Sequence, residues 1–242
     1  MFGTVNALQI HTDFSRAAPY AVMIGLSFLA GTGGLYLLSV RRGIRKDIAG
    51  YLLLLCPLMS AAGGMLHSYL ESGCRSWGLS SIGGLLGLYA AVLIMGQIAP
   101  KGCRQIMVQN ATLMLPLMYA LGKTGCLLSG CCRGIAYSGP FCVQYTGERL
   151  STGCVFPVQL AESVVFLGIF LLGMHSFRRH RTDTFPLIFL ASAGAKFLLD
   201  FLREAHQGKV LTSNQVLCIL LLAAGSVWLI RSRMQTAPQR KP

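Results

Sequence analysis

The sequence predicts an all-α fold: a polytopic integral membrane protein of seven transmembrane helices, N-terminus outside and C-terminus cytoplasmic. Three observations predict it. Only 12% of the 242 residues are charged, about half of the roughly 25% usual in a soluble domain, while 53% are hydrophobic. Mean hydropathy is +0.58. Apolar stretches of about 20 residues, the length that crosses a ~30 Å hydrocarbon core, recur along the chain. They are continuous rather than alternating, which excludes the strands of a β-barrel. The charge deficit also excludes a cytosolic globule, a disordered chain and a coiled coil, and the 28 glycines show no collagen period.

In chain order the expected spans are Tyr20–Val40, Ile48–His67, Ser80–Ala99, Asn110–Leu128, Phe156–Met174, Thr184–Leu202 and Leu211–Ile230. A short polar or charged segment separates each from the next. Residues 1–20 lack a basic start and an apolar run, so a cleaved signal peptide is not expected. No repeat, low-complexity tract or linker interrupts the chain, and one membrane domain over 1–242 is the expectation.

Orientation comes from the basic residues. Arg41, Arg42, Arg45 and Lys46, then Lys101 and Arg104, then Arg178, Arg179 and Arg181, then Arg231, Arg233, Arg240 and Lys241 make thirteen of the 21 Lys and Arg. With seven spans these four segments fall on one side, which the positive-inside rule makes cytoplasmic. The net charge of +13 is therefore read as topology and contact with anionic lipid, not as a nucleic-acid surface.

That topology places Cys74, Cys142 and Cys154 in outer loops and Cys126, Cys131 and Cys132 at the outer end of the fourth span. Six of nine cysteines thus lie on the oxidising side, where one or two disulfides pinning the outer loop are the leading expectation. Cys126, Cys131, Cys132, Cys142 and Cys154 are the candidate disulfide or thiol residues. The C-x4-C-C spacing lacks the paired C-x2-C of a zinc motif, so no metal or other cofactor is expected.

Ionisable residues inside spans are costly and mark candidate sites. Lys123 lies in the fourth span, Glu162 near the outer end of the fifth, and Lys196 and Asp200 at i and i+4 of the sixth, with Arg203 just beyond. These charges either neutralise one another in pairs or form a polar chamber whose cationic wall suits an anionic head group, because phosphate takes ammonium and guanidinium donors. Gly122, Gly125, Gly130 and Gly134 allow close backbone approach beside Lys123. Tyr69, Trp77, Tyr137 and Tyr145 are expected as interface anchors. His67 is expected as a polar helix end, with general base as its second reading because an unperturbed imidazole titrates near neutrality.

The stretch Gly122-Lys-Thr-Gly-Cys-Leu-Leu-Ser-Gly-Cys-Cys-Arg-Gly134 resembles, without a gap, the signature of the prolipoprotein diacylglyceryl transferases, approximately Gly-Arg-x-Gly-Asn-Phe-x-Asn-Gly-Glu-x-x-Gly. Pro157-Val-Gln-Leu-Ala-Glu162 is similar to the family's Pro-Ser-Gln-Leu-Tyr-Glu. Lys196-Phe-Leu-Leu-Asp200-Phe-Leu-Arg203 resembles Arg-x-x-x-Glu-Phe-Phe-Arg. Leu211-Thr-Ser-Asn-Gln215 parallels Leu/Ile-Ser-x-Gly-Gln, and Ile82-Gly-Gly-Leu-Leu-Gly87 parallels His-Gly-Gly-Leu-x-Gly. The resemblance covers about residues 20–230. Within it, Ile82 stands where the family has His, Lys123 and Lys196 where it has Arg, Cys126 for Asn, Cys131 for Glu and Ser192 for Tyr.

The resemblance implies an enzyme of bacterial lipoprotein maturation in the cytoplasmic (inner) membrane, its site facing the outer leaflet. Its partners would be phosphatidylglycerol or another anionic phospholipid and the lipobox peptide of a prolipoprotein, whose cysteine thiol receives a diacylglyceryl group. The implied catalytic set is Lys123, Lys196, Glu162 and Arg203. Gly122, Gly125, Cys126, Gly130, Gly134, Gln159, Asp200, Gln215, Gly83 and Gly84 are the implied substrate-binding residues. The substituted positions motivate two alternatives: a same-fold lipid transferase with another acceptor or donor, or an outer-face thiol redox or metal-binding membrane protein.

Overall fold

A computed structural model describes residues 7–11, 17–146, 152–181, 183–208 and 210–236; Arg240 and Lys241 of the basic tail lie outside them. Seven α-helices follow in order: α1 Ala17–Arg41, α2 Lys46–Glu71, α3 Ser81–Ile98, α4 Cys103–Ser129, α5 Val158–Arg178, α6 Thr184–Asp200 and α7 Ser213–Thr236. Each overlaps one of the expected spans. Six of them (all but α6) are long and apolar enough to cross a membrane. The 17-residue α6 is about 25 Å long at 1.5 Å per residue, short of a full hydrocarbon core, and carries Lys196 and Asp200 in its last turns. Large apolar side chains stand exposed along the helices, Leu29 at 72%, Leu54 at 77%, Ile98 at 75% and Leu172 at 70%. A water-facing surface does not sustain such a display, and lipid accounts for it.

The chain forms two units. The first comprises Met1–Leu26 and Ala120–Pro242, the second Ser27–Tyr119.

In the second unit α2 packs on α3 through small residues. A Cβ on Gly83 would meet the Gly63 carbonyl and the His67 Cβ, and one on Gly87 would meet the Met59 carbonyl. Close backbone approach of this kind is how membrane helices associate where no hydrophobic force separates helix from lipid. Ser80 caps α3, its hydroxyl accepting from the Gly83 N–H at 3.5 Å. At the other end of the unit Arg42 donates to Asn110 Oδ1 at 2.9 Å and Gln109 Oε1 at 2.6 Å, and Asn110 donates to Ser39 Oγ at 3.1 Å. Gln109 and Asn110 are thus helix-interior groups with partners, which is why α4 begins at Cys103, seven residues ahead of the expected span.

The first unit adds what the all-α expectation omits. Strand β1 (Leu8–His11) pairs in parallel with β2 (Val143–Thr146), Leu8 opposite Val143. Val143 also exchanges both backbone hydrogen bonds with Val155 at 3.0 Å. Beside that exchange Cys142 and Cys154 form a disulfide, one of the bridges expected in this loop. Leu127, Val143 and Tyr145 make a small core with Ile10 and Val155 against it. Tyr145 is fully buried, its hydroxyl donating to the Leu127 carbonyl at 3.2 Å. The expected interface anchor at Tyr145 is therefore corrected: its hydroxyl finds a partner inside, so nothing draws it to the surface.

Candidate active site

The candidate site lies in the first unit and is assembled from the ends of α4, α5, α6 and α7. A hydroxyl clamp sets α4 against α5. Ser163 Oγ donates to the Ala120 carbonyl at 2.9 Å and meets Thr124 Oγ1 at 2.9 Å. One residue back on each helix, Lys123 Nζ stands 2.8 Å from Glu162 Oε2. The other Glu162 oxygen receives Lys196 Nζ at 3.1 Å, and Lys196 reaches Asp200 Oδ1, one turn on, at 3.1 Å. Arg203 donates to the same Asp200 oxygen at 3.2 Å. Thr212 Oγ1 donates to Asp200 Oδ2 at 2.5 Å. The two expected pairs, Lys123 with Glu162 and Lys196 with Asp200, both form, and Lys196 joins them into one chain of charges.

The four inner members are buried, from Glu162 at 0% to Lys196 at 6%. At such depth a bare charge is untenable, so each must be held by its neighbours. Among the described residues, these ion pairs join three cations to two carboxylates.

Backbone pairing fixes Arg203. Gly134 and Arg203 form an antiparallel bridge, Ile135 N–H donates to the Leu202 carbonyl at 3.0 Å and Glu204 N–H to the Arg133 carbonyl at 3.0 Å. Arg133 and Glu204 add an exposed ion pair at 3.2 Å. A Cβ at 134 would run into the Phe156 carbonyl, so only glycine fits. Gly125 is likewise pressed against Met23 and Tyr20 of α1, whereas a Cβ on Gly122 would meet Ile24 at an ordinary 3.6 Å.

The end of α4 turns sharply. Gly130 takes φ +68, its N–H donates to the Leu127 carbonyl at 3.4 Å, and Cys131 N–H donates to the Cys126 carbonyl at 3.2 Å. This is a Schellman cap, which lays Cys131 back over Cys126. Cys132 follows at φ +55. The sulfurs of Cys126, Cys131 and Cys132 all lie within 4.8 Å of one another. None of the three is disulfide-bonded. Hydrogen bonds from Cys126 and Cys131, with Lys123 and Arg203 beyond them, hold the Cys132 thiol well below the usual thiol range against the effect of burial. Cys131 moves up: its hydrogen bond with Cys126 lowers it, but its hydrogen bond with Cys132 and burial outweigh that.

Gln159 Nε2 donates to the Cys131 carbonyl at 2.8 Å and to the Tyr145 hydroxyl at 3.3 Å. Its buried Oε1 has no hydrogen-bond partner among the described residues. Burial, then the charge of Cys131, pushes the Tyr145 phenol up to about 12, so it stays protonated and able to donate.

The structure brings Lys123, Glu162, Lys196, Asp200 and Arg203 together as a set, and places Gln159, Cys126, Gly125, Gly130 and Gly134 around it. Gln215 has a different employment. Its Oε1 accepts the Thr212 N–H at 2.9 Å while Thr212 Oγ1 accepts the Gln215 N–H at 3.2 Å, a capping box that starts α7. Sequence reasoning missed Thr212, although the Thr-x-x-Gln spacing carries the signal. Gly83 and Gly84 belong to the second unit. Gly83 is taken up by the packing of α3 on α2, while at Gly84 a Cβ would meet only the Ser60 carbonyl at 3.6 Å. Ile82, where the family has His, is buried. His67 Nδ1 lies 3.8 Å from the Glu71 carboxylate of its own helix.

Apolar helices of membrane length around a buried network of lysine, arginine and carboxylate define a multi-pass membrane protein with a charged cluster built into its helices. The sequence model of the prolipoprotein diacylglyceryl transferases matches residues 7–231, and the chain belongs to that family of transferases. It is similar to phosphatidylglycerol–prolipoprotein diacylglyceryl transferase 2 of Clostridium perfringens (strain 13 / Type A), 24% identical over 93% of this chain and 92% of that protein.

Proposed function

We propose that this protein transfers the diacylglyceryl group of phosphatidylglycerol to the cysteine thiol of a prolipoprotein lipobox. One observation carries the reading beyond family membership: among the described residues the ion-paired network joins three cations to two carboxylates. An anionic phosphodiester suits such a cation-rich group, where a zwitterionic head group brings an ammonium that the lysines repel.

In the reaction the acceptor sulfur, as thiolate, attacks the glycerol carbon that bears the phosphate ester. The carbon–oxygen bond breaks, a thioether forms, and glycerol phosphate leaves with the bonding pair. The thiol proton passes to the phosphate monoester. Charge grows on the departing phosphate, and Lys123, Lys196 and Arg203 are fixed in advance to receive it. Glu162 and Asp200 act through those cations. With Glu162 between two ammoniums and Asp200 between Lys196, Arg203 and Thr212, both carboxylates serve to position rather than to collect the thiol proton. Gln159 Oε1 is an acceptor for a hydroxyl of the glycerol head group. Lysine in place of arginine keeps the charge but gives up the two-pronged grip on phosphate, so the network relies on three separate cations.

The reading places the site toward the outer leaflet of a bacterial inner membrane. All seven helices span, the N-terminus is outside, and the shorter α6 is completed by the residues that lead to Arg203. The basic segments after α1, α3, α5 and α7 support this orientation.

The test is a transfer assay. Purified protein in detergent is mixed with phosphatidylglycerol and a lipobox peptide, and the peptide mass is followed. A gain of one diacylglyceryl group that disappears in Lys123→Ala is expected. No gain from folded, lipid-binding protein overturns the lipobox cysteine as acceptor.

A further inference from the structure

Two of the positions at which this chain departs from its family's signature, Cys126 and Cys131, converge on one point with Cys132. The mechanism above uses none of the three thiols. Their convergence is built by the backbone: the Schellman cap folds Cys131 over Cys126, and the left-handed turns at Gly130 and Cys132 keep the chain at the helix end. The sulfurs lie within 4.8 Å of one another, and among the described residues no His, Asp, Glu or further Cys joins the group. Three thiolates bound to a central ion at a metal–sulfur distance of about 2.3 Å sit about 4 Å apart. Closure of less than about 1 Å therefore completes such a site. Cys126 is buried at the helix end while Cys131 and Cys132 lie at the surface with their thiols partly covered, which gives an ion an entry path.

Three sulfurs without a fourth ligand select the ion. Thiolates favour soft, thiophilic metals over hard ones. Structural Zn(II) asks for four ligands in a closed tetrahedron, whereas Cu(I) is content with three sulfurs in a plane. We propose that Cys126, Cys131 and Cys132 form a Cu(I) site with trigonal three-thiolate coordination. On binding, three sulfur–copper bonds form, the thiol protons are released and no electron moves. The bound unit carries two negative charges.

The test uses the full-length reduced protein in detergent, titrated anaerobically with Cu(I) against a chromogenic copper chelator. One Cu(I) per chain is expected, with thiolate-to-copper ultraviolet absorption. Cys126→Ser, Cys131→Ser and Cys132→Ser should each weaken binding roughly 100-fold or more, and Cys74→Ser and Cys103→Ser should leave it unchanged. The melting temperature of each variant without copper reports whether it is folded. Equal Cu(I) binding by the triple-Ser variant and the unsubstituted protein overturns the proposal, as does absence of stoichiometric binding. Displacement of Cu(I) by equimolar Zn(II) would replace copper with zinc. None of these readouts depends on lipid transfer, so the site stands or falls apart from the proposed function.

Discussion

Glu162→Gln is the sharpest perturbation of the buried network. Glu162 is fully buried and holds Lys123 at 2.8 Å and Lys196 at 3.1 Å. The amide keeps the shape and removes the charge, so two ammoniums then face each other across a neutral group. Removing one partner of a buried ion pair costs about 3–5 kcal/mol, because the remaining charge is left desolvated and uncompensated. In a chain of this size each kcal/mol moves the melting temperature by about 2–4 °C, so a fall of about 6–20 °C is expected in detergent. Lys123→Met should cost less, since Glu162 keeps Lys196. Glu162→Gln combined with Lys123→Met should recover part of the loss, because the double variant has one uncompensated ammonium fewer. Non-additivity of that sign is what a double-mutant cycle detects. A melting temperature for Glu162→Gln within 2 °C of the parent, or strict additivity with Lys123→Met, would refute the network.

Three further outcomes are expected. Replacing Cys142 and Cys154 by Ser should cost about 3 kcal/mol, the worth of closing a loop of this length; an unchanged chemical-denaturation midpoint would show that the β2 pairing does not need the bridge. Gly83→Ala should destabilise by about 1–3 kcal/mol as its methyl meets the Gly63 backbone, while Gly84→Ala stays within about 0.5 kcal/mol. Equal melting temperatures for the two would contradict the close α2–α3 approach. Thr212→Val removes both the α7 cap and a hydrogen bond to a charged group, a loss of about 2–4 kcal/mol by calorimetry, with Ser at 212 restoring most of it.

The helices were legible because a bilayer demands long, continuous apolar runs, and each run shows in the sequence. Their ends were less so. Arg104, Gln105 and Gln109 look like a loop until Arg42 supplies a partner for Gln109. The β1–β2 pair joins residues more than 130 positions apart, beyond any local pattern. In the site, the charged residues announced themselves by their cost in a membrane, and even their pairing was visible. The bridging of both pairs by Lys196 was not, since it depends on how α5 meets α6. Gln215 shows a role that its motif does not disclose. A residue shared with a family motif was read toward substrate, while its side chain caps a helix. The three cysteines hid a helix cap: C-x4-C straddling a glycine is unremarkable as spacing and becomes a cluster only when the Schellman turn folds it.

On this account the Lys123–Glu162–Lys196–Asp200–Arg203 network, with three cations and two carboxylates among the described residues, receives an anionic phosphate. Native mass spectrometry of the purified protein, given equimolar phosphatidylglycerol and phosphatidylcholine of matched chains, tests it most directly. The unsubstituted protein should retain one phosphatidylglycerol in clear preference, and Lys123→Met, whose named cations and carboxylates balance, should lose that preference while still carrying lipid. Equal retention of both lipids by the unsubstituted protein, or an undiminished preference in Lys123→Met, would contradict it.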